Sequence, residues 1–166
     1  TYAPWTGEGY AGGSTDGYAA SFTQAKVFAG VNCGTQVQYM FAKCKNMKSC
    51  DLTNMKLTNG GNFNGWFAQS GITGVYSGQS ATSSTSAIIG EGLRLPSSWN
   101  MSWASSSEGI FMYQAFYGCN SLKTINLSNV LNGSYARAQN MFQNCSSIES
   151  ITLNNVGNGS RANLSY

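Results

Sequence analysis

The feature that most constrains the fold is a pattern of apolar residues that returns every 26 positions. In the stretch QNMFQNCSSIESITLNNV, the apolar residues from Phe142 to Val156 follow one another at steps of three, three, three, two and three. An amphipathic helix would give steps of three and four, and a half-buried strand would give steps of two. The pattern therefore predicts a coil of chain that has a short strand on one side and a helical turn on the other.

The same pattern occurs 26 residues earlier, in QAFYGCNSLKTINLSNV, and once more upstream, in QYMFAKCKNMKSCDLTNM. A weaker copy begins at Phe67, where Ser70 takes the place of the cysteine and Ile72 and Val75 come one residue early. An internal period in the twenties is typical of a solenoid of the leucine-rich-repeat kind. The copies predict an inward ladder made of Phe41, Cys44, Met47, Leu52, Phe116, Cys119, Leu122, Ile125, Leu127, Phe142, Cys145, Ile148, Ile151 and Leu153.

Each copy divides into two kinds of segment. The pairs Ile125-x-Leu127 and Ile151-x-Leu153 alternate as a strand does. The middle residues, Asn126 and Thr152, therefore face outward. Segments before each Phe, such as ARAQNMFQN, contain better helix formers. We therefore expect an α/β solenoid of about four to five stacked coils, each with a short strand and a short helix, because one coil cannot bury its apolar face alone. One of these coils is expected to be irregular.

The repeated phrase MF-x-x-C-x-x-L-x-x-I-x-L-x-N resembles the BspA-like leucine-rich repeats, in their variant with a period of about 26 residues. The resemblance covers residues 37–76 and 112–156. It implies a secreted or cell-surface binding module of bacteria, often a segment of an adhesin, without catalysis. Similar repeats also occur in phage and host-associated proteins. Because one fold serves many functions, the repeat does not identify the ligand.

The remaining segments differ from the repeat in composition. Residues 1–36 are rich in glycine and aromatic residues, and they predict either a cap on the first coil or an arm for assembly. Residues 37–166 are expected to form the solenoid, with an irregular insertion at 77–111 that contains Trp99 and Trp103. Loops that project from a rigid scaffold often carry binding residues.

The C-terminal sequence GNGSRANLSY shows no capping pattern. By the period, the next Phe would fall at position 168, two positions after Tyr166. We therefore expect an uncapped last coil, which either continues into a further repeat or is covered by a partner. An open coil edge carries unpaired backbone groups and favours strand-to-strand association.

Charge and composition exclude several classes of protein. Charged residues make up 9% of the chain, far below the usual level of about 25%. The surface must then consist mainly of neutral polar residues, as is common in extracellular and virion proteins. The net charge is +3 and the basic residues are scattered, which argues against nucleic-acid binding. No apolar run reaches the roughly 18 residues that a membrane span requires.

The chain also lacks the residues that most catalytic and metal sites use. It contains no histidine, its six acidic residues are dispersed, and its five cysteines form no C-x-x-C pair. We predict that it is not an enzyme and that it holds no cofactor and no metal. Three of the cysteines occupy one ladder position, where free thiols pack as small hydrophobes. A disulfide between Cys119 and Cys145 is the alternative, since adjacent strands lie about 4.8 Å apart.

Two functions fit the sequence. The first is a non-catalytic binding or adhesion module, extracellular or at a cell surface, whose partner is a protein or glycan on a host or neighbouring cell. The second is a structural subunit of an extracellular filament or a phage virion, which assembles with itself through the uncapped coil. Candidate ligand contacts are the projecting aromatics Trp99, Trp103 and Tyr113 and the outward strand residues Asp51, Lys123, Asn126 and Thr152.

Overall fold

The computed structural model describes ten short strands, and all of their pairings are parallel. The described residues are 21–26, 32–33, 38–57, 61–77, 91–96, 110–129, 131, 135–157 and 162–165. Most of the predicted cap at residues 1–36, and both Trp99 and Trp103, lie outside them. The strands are β1 (Gln24–Lys26), β2 (Asn32–Cys33), β3 (Ser49–Asp51), β4 (Lys56–Leu57), β5 (Gly61–Asn62), β6 (Gly74–Ser77), β7 (Gly92–Leu95), β8 (Ile110–Phe111), β9 (Thr124–Ser128) and β10 (Ser150–Asn154).

Six of the strands form one open sheet in the order β1-β3-β7-β6-β9-β10. This sheet is one side of a stack of coils, which we number by their described residues: coil 1 (38–51), coil 2 (61–77), coil 3 (110–128) and coil 4 (136–154). The register places Cys50, Leu93, Val75, Ile125 and Ile151 in one row across the sheet. All members of this row except Ile151 are fully buried, so the row forms the sheet side of the core.

The spatial order of the strands departs from their order in the chain. Strand β7 lies between β3 of coil 1 and β6 of coil 2, although it follows β6 in sequence. Strand β6 pairs on its other side directly with β9 of coil 3. The irregular insertion therefore supplies an extra strand that separates coil 1 from coil 2 on the sheet side only.

The other side of each coil, which we call the turn row, is made of successive turns. The turn rows are residues 38–44, 63–70, 111–119 and 137–145. Within a row, backbone N–H groups alternate between two kinds of acceptor. The Ala115 N–H donates to the Met112 carbonyl of its own coil at 3.1 Å, whereas the Phe116 N–H donates to the Met141 carbonyl of the next coil at 2.9 Å. The coils are therefore joined by a second backbone ladder in addition to the sheet.

This geometry explains why the predicted helices are not confirmed, since the turn rows contain no helix in the described residues. In each row two residues four positions apart have positive φ, such as Asn140 (φ 56) and Asn144 (φ 61) in coil 4. L-residues in the left-handed region interrupt a right-handed helix. The equivalent pairs in the other coils are Tyr39 and Lys43, Gly65 and Gln69, and Gln114 and Gly118.

A column of phenylalanine rings runs through the core from coil to coil. Ring centroids are 4.9 Å apart for Phe41 and Phe67, 5.8 Å for Phe67 and Phe116, and 5.3 Å for Phe116 and Phe142, and all three pairs are stacked. Such offset aromatic pairs add to the stability that burial alone provides. The column links the turn rows of all four coils through side chains, as the ladder does through the backbone.

The predicted ladder is buried in coils 1 and 3 but not on the sheet side of coil 4. Ile151 and Leu153 pair in register with Ile125 and Leu127, yet they are 55% and 47% exposed. The reason is that β10 stands at the end of the sheet, and no other described strand pairs with its outer edge. On the turn side the stack continues, because the Ala138 N–H donates to the Asn163 carbonyl at 2.8 Å.

The burial of the remaining ladder residues follows the same gradient along the stack. Cys145 and Ile148 of coil 4 are half-buried, whereas the ladder residues of coils 1 and 3 are buried. The buried ladder residues are Phe41, Cys44, Met47, Leu52, Phe116, Cys119, Leu122, Ile125, Leu127 and Phe142.

Candidate functional site

The outer face of the sheet presents a row of polar side chains that lies between the buried rows. Because side chains alternate along a strand, Arg94, Tyr76, Asn126 and Thr152 point away from the core in register with one another. Thr152 is exposed and the other three are half-buried. The inward residues of the same strands fill the core, so this row is what the sheet offers to a ligand.

The Tyr76 ring lies across two glycines on this face. A Cβ atom at Gly74 would lie 2.5 Å from the Tyr76 hydroxyl oxygen, and one at Gly92 would lie 2.7 Å from the Tyr76 ring. Both distances are shorter than real contacts. The glycines therefore allow the ring to pack flat on the backbone, where its position is fixed by β6 and β7 together.

Two residues predicted to contact a ligand have other partners in the structure. Asp51 is fully buried, and its Oδ1 accepts hydrogen bonds from the Thr53 N–H at 3.1 Å and the Thr53 hydroxyl at 2.6 Å. Lys123 forms an exposed ion pair with Glu149 at 3.2 Å. Exposed pairs of this kind contribute little to stability. The expectation of a ligand contact is therefore wrong for Asp51.

The other predicted contacts do not all lie together. Asn126 and Thr152 are neighbours on the outer sheet face. Tyr113 belongs to the turn row of coil 3, where its hydroxyl accepts a hydrogen bond from the Asn140 Nδ2 at 3.4 Å. It is 43% exposed but is not part of the sheet face. Trp99 and Trp103 fall outside the described residues.

A polar cleft opens at the corner where the turn rows meet the sheet. Its volume is about 410 Å³, and residues from all four coils line it. None of the lining residues was singled out as a ligand contact from the sequence. The signal that marks this place is the residue missing from the second copy, after Ser70. The lining consists of Lys45, Gln69, Ser70, Gly71, Tyr117, Gly118, Asn120, Ser121 and Asn144.

The missing residue explains why the cleft lies between coil 2 and coil 3. In coil 3 the residue after the ladder cysteine, Asn120, donates its N–H to the Gly118 carbonyl of the same coil at 2.9 Å. In coil 2 the corresponding Gly71 N–H donates to the Cys44 carbonyl of coil 1 at 3.0 Å. The shortened corner of coil 2 therefore leans against coil 1, which leaves a gap on the side of coil 3.

The ladder cysteines lie beneath this corner as free thiols, so Cys119 and Cys145 do not form a disulfide. The Cys119 thiol donates to the Phe67 carbonyl at 3.0 Å, and the Cys145 thiol donates to the Phe116 carbonyl at 3.0 Å. Each thiol thus ties its coil to the preceding one. The thiols act here as hydrogen-bonded packing residues.

The environment of these thiols sets the direction of each pKa. Burial raises the pKa of Cys44 to about 11, and burial together with the neighbouring Asp51 charge raises the pKa of Cys50 well above its usual value. The interaction with the neighbouring Cys145 thiol, together with burial, raises the pKa of Cys119, whereas the same interaction lowers the pKa of Cys145. Three of the four described thiols are therefore held protonated, which disfavours nucleophilic chemistry.

Neither a metal cluster nor a membrane-spanning helix is found in the part of the chain that the structure describes. Within them, no group of three or more His, Cys, Asp and Glu side chains is placed to hold a metal ion. The described part of the chain likewise contains no helix with the length and apolar character needed to cross a bilayer.

Parallel strands stacked with one repeat per coil, and an outward polar face, are consistent with a solenoid of the leucine-rich-repeat kind. The family model described as "BspA type Leucine rich repeat region (6 copies)" matches residues 100–161. This match confirms the resemblance to BspA-like repeats and suggests a protein-interaction module. Phe41 and Phe67 continue the column of stacked rings from Phe116 of the matched part, so coils 1 and 2 stack as coils 3 and 4 do. No curated protein and no solved structure matches the chain.

Proposed function

We propose that this protein is a non-catalytic binding or adhesion module, displayed outside the cell, which engages a protein or glycan ligand with the outer face of its sheet. The observation that carries the proposal is the in-register row of Tyr76, Asn126 and Thr152 on that face. These side chains are neutral and polar, and none of them is buried in the core. The family match and the low charge of the chain support the same function.

The rigidity of the face favours binding. Each outward side chain stands on a strand that is hydrogen-bonded on one or both sides, and the coils behind it are joined by the turn-row ladder. A ligand therefore orders little of the protein when it binds, which reduces the entropic cost of association. Tyr76 is held most firmly, because its ring packs on Gly74 and Gly92.

Adding charge to the sheet face should abolish binding. We expect the double variant Asn126→Arg with Thr152→Arg to lower the binding of fluorescently labelled protein to host or neighbouring cells by at least about tenfold, because two guanidinium groups would be buried against a ligand shaped for neutral residues. The matched control is Gln143→Arg with Ser146→Arg, which adds the same charge at exposed positions on the turn side of coil 4. Equal binding by the two double variants would contradict the assignment of the sheet face.

A second function, that of a self-assembling structural subunit, is favoured by one observation. Strand β10 presents the half-exposed side chains of Ile151 and Leu153 at the open edge of the sheet, where strand addition by another copy would cover them. Exposed apolar residues at such an edge are unusual in a protein that stays apart from others.

Removing these apolar side chains separates the two functions. If the protein self-assembles, the wild type should form dimers or fibres in mass photometry and electron microscopy, and Ile151→Lys with Leu153→Lys should remain monomeric. The control is Thr124→Lys with Asn126→Lys, which adds the same charge to the outer face of β9. A wild type that stays monomeric up to high micromolar concentration would exclude the structural role.

A further inference from the structure

We infer that the cleft between coil 2 and coil 3 is a subsite for one or two neutral sugar rings. The inference rests on the proposed binding function, and it names a ligand class and a place for it apart from the sheet face. The cleft volume of about 410 Å³ lies in the range of small-ligand sites, which is about 300–1,000 Å³.

The chemistry of the lining matches a neutral polyol. Gln69 and Asn144 contribute amide groups and Ser121 contributes a hydroxyl, and such groups can both donate and accept hydrogen bonds. Sugar hydroxyls have the same dual capacity. Among the residues that the structure describes, the lining contains no carboxylate and a single cation, Lys45, so it is suited to neither a polycation nor a polyanion.

One aromatic ring is held at the cleft by a neighbouring coil. The Tyr117 hydroxyl accepts a hydrogen bond from the Asn144 Nδ2 at 3.0 Å. This bond leaves the Asn144 carbonyl oxygen available to a ligand. Because Tyr117 is half-buried, part of its ring remains accessible. An amphipathic ring next to hydrogen-bonding groups provides both an apolar contact and polar contacts.

The floor of the cleft carries a buried polar group of its own. Ser70, which is only 4% exposed, occupies the ladder position that holds a cysteine in the other three coils. Its Oγ lies 3.6 Å from the Cys119 Sγ. The same copy of the repeat thus loses one residue and gains a hydroxyl at the place where the cleft forms.

Backbone hydrogen bonds between coils hold the walls of the cleft. The Gln69 N–H donates to the Tyr117 carbonyl at 2.7 Å, and the Gly118 N–H donates to the Gln143 carbonyl at 2.9 Å. These bonds fix the walls through the inter-coil ladder. Gln69 and Asn144 both have positive φ, at the position where every turn row has it. The backbone of the repeat therefore fixes the direction of their Cα–Cβ bonds.

The chain offers a matched pair of variants for the test. Asn144 donates to the Tyr117 hydroxyl in the cleft, and Asn140 donates to the Tyr113 hydroxyl outside it. Both asparagines have positive φ, at 61° and 56°, so glycine suits both positions. Asn144→Gly and Asn140→Gly therefore remove the same group at equal backbone cost.

The experiment uses the methyl glycosides of glucose, galactose, mannose, N-acetylglucosamine and N-acetylgalactosamine as probes. Saturation-transfer NMR with the full chain should show binding of at least one of them, and titration should give its Kd. We expect Asn144→Gly to weaken that binding by about tenfold and Ser121→Trp, which fills the cleft, to abolish it, whereas Asn140→Gly should leave it unchanged.

Two results would overturn the inference: no transfer to any of the five glycosides, or equal losses in Asn144→Gly and Asn140→Gly. The proposed function is tested separately by the sheet-face variant Asn126→Arg with Thr152→Arg, which should retain sugar binding. Cell binding without glycoside binding would refute the subsite alone. Glycoside binding by a protein that adheres to no cell would support the subsite and refute the adhesion function.

Discussion

Replacing Phe116 by alanine is expected to lower the free energy of unfolding by about 3–5 kcal/mol. Phe116 is fully buried, and its ring is stacked between those of Phe67 and Phe142 at 5.8 and 5.3 Å. The coils on either side are held at their spacing by the sheet and by the turn-row ladder. They cannot collapse into the cavity, so most of the lost packing remains uncompensated. Denaturant unfolding followed by circular dichroism measures the loss.

The matched control for this variant is Phe142→Ala, one coil further along the same column. Phe142 is 8% exposed, and among the described residues its ring stacks only on Phe116. Water can fill part of the space that it leaves, so we expect a clearly smaller loss of stability. If the two variants lost equal stability, or if Phe116→Ala lost less than about 1 kcal/mol, the column would not be the main support of the stack.

The second large effect is expected at Gly71, where coil 2 leans on coil 1. In Gly71→Ala the new Cβ atom would lie 2.1 Å from the Lys45 carbonyl oxygen and 3.1 Å from that of Met47. Both are backbone atoms, which no rotamer change can move aside. The corner of coil 2 must then shift and lose the hydrogen bond from the Gly71 N–H to the Cys44 carbonyl. We expect a loss of about 3 kcal/mol, measured as a lowered midpoint of thermal unfolding.

Gly118→Ala is the control, because it places a methyl group on the opposite wall of the cleft. There the added Cβ would meet only the Gln69 Cγ, at 3.2 Å, and that side chain can move. The remaining cost is that of alanine at positive φ, about 1–2 kcal/mol. A Gly118→Ala variant less stable than Gly71→Ala would show that the close contact of coils 1 and 2 is not the constraint.

The residues of the ladder could be identified from the sequence because every coil must turn the same positions toward one shared core. Phe116 and Ile125 follow this rule, since each lies against its counterpart in coil 4, and the Cys119 Sγ lies 3.6 Å from the Oγ of its counterpart Ser70 in coil 2. Ile151 shows its limit, since a repeat position says which way a side chain points but not whether another coil covers it.

The turn rows could not be derived from helix propensity. A helix satisfies its N–H groups internally. In the turn rows, about every second N–H group donates to the next coil instead, and these bonds outweigh the helix propensity of the residues. The available signal was glycine or asparagine at recurring positions, as at Gly65, Gly118, Asn140 and Asn144. In the sequence, the only sign of the cleft is that Ile72 comes one residue early in its copy of the repeat. Whether a shortened corner opens a cleft depends on its contacts with the neighbouring coils, which the repeat pattern does not give.

The position of β7 makes one junction of the stack different from the others. Coil 2 and coil 3 are joined without it, through the pairing of β6 with β9 and through the Phe67 N–H bound to the Ala115 carbonyl at 2.7 Å. Only the seam between β3 and β6 depends on the inserted strand. Because Leu93 and Leu95 of β7 are buried in the core, coil 1 and coil 2 need this strand on the sheet side, whereas coils 2, 3 and 4 keep their period without it.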